Sequence, residues 1–137
     1  PPTIYKMIPK FKMFLKPILE ILLDSRCMVS KKVLVEKVAD YFNLTIEERN
    51  ATTSSNLNVV YDRVSWALVY IRKSGMIERP CKGFMIITDK GEALLAENPE
   101  IITNKILGEH SAEFAQYQYI PKYGVNDKRT IGYKKRA

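Results

Sequence analysis

At 137 residues, with 46% hydrophobic and 27% charged side chains, the chain has the length and balance of one soluble globular domain, which excludes a disordered or fibrous polypeptide. No apolar run approaches the roughly 18 residues of a membrane-spanning helix, and Pro1-Pro2-Thr3 lacks the basic-then-apolar layout of a secretory signal, so no membrane association and a cytoplasmic setting are expected. The formal net charge of +7 points to a polyanionic partner, although residues 111–137 hold +4 of it and the first 110 residues only +3.

Phe11, Phe14, Leu15, Ile18, Leu19 and Leu22 recur at steps of three and four and define the buried stripe of a first helix. Pro17 belongs in its first turn or at a kink, so the regular part is expected from about Pro17 to Leu23, with Asp24-Ser25-Arg26 as the break. Ser30 is placed to cap a second helix. Its apolar face is Leu34, Val35, Val38, Ala39 and Phe42, while Lys31, Lys32, Glu36, Lys37 and Asp40 face solvent. Asn43 is a left-handed terminator, and Thr45-Ile46-Glu47-Glu48 is a capping box for a short helical turn.

Residues 51–56 are rich in Thr and Ser, lack an apolar period and read as a loop leading to a helix cap. The third long helix follows, from about Leu57 to Ser74, with Val60, Val64, Ala67, Leu68 and Ile71 inward and Gly75 as its stop. Its opposite face carries Asn58, Asp62, Ser65, Val69 and Arg72. Trp66 lies on a flank and is read as a core residue, and Arg63 and Arg72 either pair with an acid on the same helix or meet DNA.

Two β-prone runs, Met76-Ile77-Glu78-Arg79 and residues 84–88, are joined by the turn Pro80-Cys81-Lys82-Gly83, giving a hairpin with Arg79 and Lys82 at its tip. Thr88 or Asp89 caps a helix to about Ala96, which Asn98-Pro99 ends, and Thr103 caps a last short segment containing Ile106 and Leu107. The expected fold is therefore mainly α with a small β-hairpin, in the order of a winged helix-turn-helix. It occupies residues 1–110, followed by a basic, Tyr-rich tail or linker over 111–137 that includes Lys128-Arg129 and Lys134-Lys135-Arg136. The absence of a starting Met is the layout expected of a segment of a longer polypeptide.

Site chemistry is sparse. Cys27 and Cys81 have no second Cys or His at zinc spacing and are expected as reduced thiols, His110 has no Cys or Asp beside it, and the six glycines are scattered rather than gathered into a phosphate loop. No metal and no cofactor are expected.

Five strings go further: Pro17-Ile18-Leu19-Glu20; Leu44-Thr45-Ile46-Glu47-Glu48-Arg49; Arg63-Val64-Ser65-Trp66-Ala67; Tyr70-Ile71-Arg72-Lys73-Ser74-Gly75-Met76-Ile77-Glu78-Arg79-Pro80; and Ile87-Thr88-Asp89-Lys90-Gly91-Glu92-Ala93-Leu94-Leu95-Ala96-Glu97-Asn98-Pro99. In this order they make residues 11–107 resemble the N-terminal domain of Mrr-type restriction proteins, the modification-dependent endonucleases of bacterial and archaeal defence. The resemblance implies a winged-helix module that recognises double-stranded DNA, including methylated or otherwise modified DNA, ahead of a metal-dependent nuclease domain. Such a nuclease uses a Lys two positions after a Glu or Gln to act on the attacking water. Neither spacing occurs in these 137 residues, so no catalysis is assigned to them. The family tends to carry Ser-Gly before its third helix, where this chain has Ser54-Ser55-Asn56-Leu57-Asn58, and Leu57 is placed to touch a base methyl.

The candidate DNA contacts are the short polar side chains at the start of that helix, Ser54, Ser55, Asn56 and Asn58, for which base contact and N-capping both stay open. Tyr61 stacks at the groove or packs. Arg79 and Lys82 on the hairpin, with Lys31 and Lys32 at the second helix start, are candidate phosphate contacts set against plain solvated charge. A protein-interaction or dimerisation adaptor without base readout is the competing class, and a homodimer is left open.

Overall fold

The computed structural model describes residues 8–112 and 114–115; the tail basics Lys128-Arg129 and Lys134-Lys135-Arg136 lie outside the described residues. A 3-10 turn over Phe11–Phe14 runs into α1, Leu15–Ser25. Pro17 is the third residue of α1, where no intrahelical bond is lost with its N–H, so the helix starts at Leu15 rather than at the proline. Phe14, Leu15, Ile18, Leu19 and Leu22 are fully buried, as their spacing requires. Arg26 closes α1 in the left-handed conformation, φ 54°, with its N–H on the Leu22 carbonyl.

β1, Val29–Ser30, has no sequence signal because two residues carry no period; it exists through pairing with a later strand. Ser30 also caps α2, Lys31–Tyr41, its hydroxyl accepting from the Val33 N–H at 3.2 Å. α2 buries Leu34, Val38 and Ala39, with Val35 and Phe42 half-buried, and Asn43 ends it at φ 52°. The capping box forms: Thr45 Oγ1 accepts from Glu48 N–H at 3.1 Å and Glu48 Oε1 from Thr45 N–H at 2.8 Å, opening α3, Ile46–Asn50.

α4, Val59–Lys73, is the third long helix and buries Val59, Val60, Val64, Ala67, Leu68 and Ile71. Gly75 follows at φ 83°. Its N–H reaches the Arg72 carbonyl and that of Met76 the Ile71 carbonyl, a paired stop that needs the left-handed residue. Trp66 departs from the expected core position: it is 50% exposed, because among the described residues no element covers its flank of α4.

β2, Ile77–Cys81, and β3, Phe84–Ile87, form an antiparallel hairpin, and β1 adds to the other side of β3. Only Lys82 and Gly83, the latter at φ 83°, form the turn. The expected four-residue turn is thus too long. Pro80 sits within β2, an edge strand with an irregular register between Glu78 and Cys81, where a missing N–H costs little. Arg79 consequently lies in the body of the strand and not at the tip.

Thr88 caps α5, Asp89–Ala96, and Thr103 caps α6, Asn104–His110. α5 sits so close to the end of α4 that a Cβ on Gly91 would overlap the Met76 carbonyl. Phe114, beyond the expected boundary at residue 110, is fully buried and meets the Tyr70 ring edge-on at 5.8 Å, so the core continues past the last long element. The result is a mainly α fold with a small three-stranded antiparallel sheet, its β2–β3 hairpin projecting as a wing. Among the described residues no helix is long and apolar enough to cross a membrane.

Candidate nucleic-acid interface

A short exposed loop precedes α4. Thr53 N–H donates to the Leu57 carbonyl at 2.8 Å and Asn56 N–H to the Thr53 carbonyl at 2.8 Å. The Thr53 hydroxyl accepts from the N–H groups of Ser55 and Leu57, both at 3.2 Å. These bonds close the turn on itself, and Ser54, Ser55, Asn56 and Leu57 are exposed. Asn56 adopts φ 68°, the left-handed conformation a glycine takes without strain and Asn tolerates better than most residues. The side chains of Ser54, Ser55 and Asn56 make no hydrogen bond with the described residues.

Asn58 is different: of the two roles its sequence position leaves open, base contact and N-capping, the structure shows the cap. It is the N-cap of α4: Oδ1 accepts from the Tyr61 N–H at 2.9 Å and Nδ2 donates to the Arg49 carbonyl at 2.8 Å. Each end of the amide makes one bond inside the protein, tying α3 to α4 and fixing the side chain as the helix cap.

The wing is fastened to the helices through Lys31. Its backbone N–H donates to the Gly83 carbonyl at 2.9 Å, and its ammonium lies 4.3 Å from the centre of the Tyr61 ring. One residue thus joins the wing turn, the start of α2 and the first turn of α4. Tyr61 is 47% exposed but has one ring face covered by that ammonium, which leaves a single face for any further stacking. Lys82, at the turn itself, and Lys32 are exposed.

Lys32 shares a groove of about 340 Å³ with Asn58 and Tyr61 between α2 and α4; the acidic Glu36 of α2 and Arg49 and Asn50 of α3 also line it. Sequence reasoning did not single out this arginine. Its Nη1 pairs with Asp40 at 2.9 Å and its Nε donates to the Leu44 carbonyl at 2.8 Å, so its charge is largely answered within the protein. The structure therefore joins Lys31 to Tyr61 and to the Lys82–Gly83 turn, sets Lys32, Asn58 and Tyr61 around one groove, and places Arg79 farther along the wing.

The outward face of α4 is uncovered among the described residues. It is not uniformly polar: Leu57, Tyr61, Trp66 and Val69 are 52, 47, 50 and 36% exposed. Arg63 does not pair with an acid of its own helix; its Nη1 donates to the carbonyls of Ile8 at 2.7 Å and Pro9 at 3.1 Å, anchoring the start of the described chain. Cys27 and Cys81 are free and exposed, the latter with its sulfur 4.0 Å from that of Met28. His110 lies away from this region, with Nε2 on the Glu97 carboxylate at 3.0 Å and Nδ1 on the Ile106 carbonyl at 2.9 Å.

Comparison with known proteins gives one family: the model of the Mrr N-terminal domain matches residues 11–97, more than half of the chain. The match runs from the 3-10 turn through α5 and takes in the loop, α4 and the wing; it stops short of α6, which the resemblance read from the sequence includes. No curated protein and no solved structure matches the chain.

Proposed function

The chain belongs to the Mrr N-terminal domain family, a domain of restriction proteins, and on that premise we propose that it is a double-stranded DNA recognition module. In this reading α4 enters the major groove, the loop side chains Ser54, Ser55 and Asn56 meet base edges with Leu57 beside them, and the wing lies on the flanking backbone. Lys31, Lys32, Arg79 and Lys82 contact phosphates and fix register without reading sequence. Residues 11–110 and the core extension to Phe114 are the recognition unit, and cleavage belongs to another part of the parent protein. Methylated or otherwise modified duplexes are its proposed targets.

One observation carries this reading. The loop presents three polar side chains uncommitted to the described residues, and the wing turn is held to the start of α2 through the Lys31 amide while the Lys31 ammonium lies over Tyr61 of α4. Such pre-fixed geometry suits simultaneous contact with a groove and its edge.

Salt dependence tests it. If all four cations meet phosphates, log affinity for a duplex falls against log salt with a slope of about −3.6, a loss of roughly a hundredfold from about 50 to 200 mM. Lys82→Ala lowers the slope by about one. Matched duplexes, unmodified and carrying methyl-adenine or methyl-cytosine, measured in the same titration, test the modified-DNA part. Binding that ignores salt refutes the proposal.

The exposed Leu57, Tyr61, Trp66 and Val69 favour a second reading, a protein-interaction or homodimer surface. Sedimentation equilibrium separates the two. A dimer that Trp66→Ser dissociates, with no duplex binding, establishes the adaptor.

A further inference from the structure

Resting on the DNA-recognition reading above, we infer that Asp62 makes the readout face of α4 select a cytosine-bearing base pair. Asn58, Asp62, Ser65 and Val69 succeed one another at steps of three and four along the outward face. Asn58 is consumed by capping, and the Ser65 hydroxyl donates to the Tyr61 carbonyl at 2.8 Å. Val69 has no polar group. Asp62 is left as the acidic side chain of that line, a helix length away from Arg72 at its far end, half-buried, with no hydrogen bond or ion pair from its carboxylate to the described residues.

No cation among the described residues pairs with its carboxylate. Arg63, its neighbour in sequence, turns to the Ile8 and Pro9 carbonyls, Arg49 is held by Asp40, and the Lys31 ammonium sits over Tyr61. A carboxylate brought into a major groove is repelled by phosphates and by the acceptors of guanine and thymine. Adenine offers one donor beside an acceptor. Cytosine's own edge offers its N4 amino group and no acceptor, and it is the base edge from which Asp accepts. The same charge that weakens general attraction to DNA therefore sharpens the choice of base, by rejecting the other edges.

A merely structural Asp62 would act on the dipole of α4, since it lies in the first turn. The two roles give different readouts. The test selects a randomised duplex pool with the 137-residue chain, as wild type, Asp62→Asn and Asp62→Ala, and melts each protein in parallel. Wild type is expected to fix cytosine at one position about tenfold over the other bases. Asp62→Asn should move that position toward adenine, which an Asn amide reads with two bonds, while Asp62→Ala should lose the preference there alone and bind the whole pool more tightly. Identical base preferences in all three proteins, with only melting changed, would overturn the inference and leave DNA recognition standing. A wild type that retains no duplex at low salt would remove both together.

Discussion

Replacing Asn58 with Ala separates a structural cap from a base-reading amide. The substitution removes the acceptor for the Tyr61 N–H at 2.9 Å and the donor to the Arg49 carbonyl at 2.8 Å. Losing the cap costs about 1 kcal/mol, and stranding a part-buried carbonyl costs about 1 kcal/mol more. The expected total is about 2 kcal/mol, which lowers Tm by roughly 8 °C for a domain of this size. Asn58→Ser keeps a capping hydroxyl but does not reach Arg49, so it should recover about half of the loss. Circular dichroism melts measure both. Duplex affinity, taken at a temperature where each variant is folded, should change equally on all sequences or not at all. Asn58→Ala that melts like wild type and loses affinity at one base position would refute the cap assignment.

Three further substitutions probe the frame around the site. Gly91→Ala forces a Cβ into the Met76 carbonyl and the Ile87 side chain, so it should destabilise the domain by about 3 kcal/mol in a denaturant titration. Gly83→Ala meets no atom but keeps a left-handed φ of 83°, so its cost should be only about 1 kcal/mol, and a larger loss would mean that the turn is packed. His110 is raised above its ordinary value first by its hydrogen bond to Glu97 and then by that to the Ile106 carbonyl. A raised folded-state value means that this stabilisation is complete below the unfolded value near 6.5 and disappears as pH rises through the folded one. Tm should therefore fall by about 1–3 °C as pH rises from about 6 to 8, and His110→Gln should flatten that dependence.

Helices were legible from sequence wherever a period and a cap agreed. Ser30, Thr45 with Glu48, Thr88 and Thr103 all cap the elements their positions imply, because a hydroxyl before an apolar stripe satisfies N–H groups that nothing else reaches. Features decided by distant contacts were not legible. β1 is two residues long and exists only through β3, and Pro80 stays in a strand because that strand is an edge. Trp66 is exposed because none of the described elements covers its flank, and Phe114 is buried against Tyr70, a contact between residues far apart in the chain.

The site divides the same way. The loop and wing were expected, but choosing among Ser54, Ser55, Asn56 and Asn58 for the cap required knowing that α4 begins at Val59 and that the Arg49 carbonyl lies within reach of the amide. The bond from Lys31 to the wing turn, and its contact with Tyr61, join residues far apart in the chain.

Mapping amide chemical shifts during titration with a duplex tests the placement of the interface most directly. The largest changes are expected at residues 54–57, at Tyr61, at Lys31 and Lys32, and at the Lys82–Gly83 turn, together on one side of the fold. Changes centred on Tyr41, Met13 or Ile101, or no change at low salt, would contradict it.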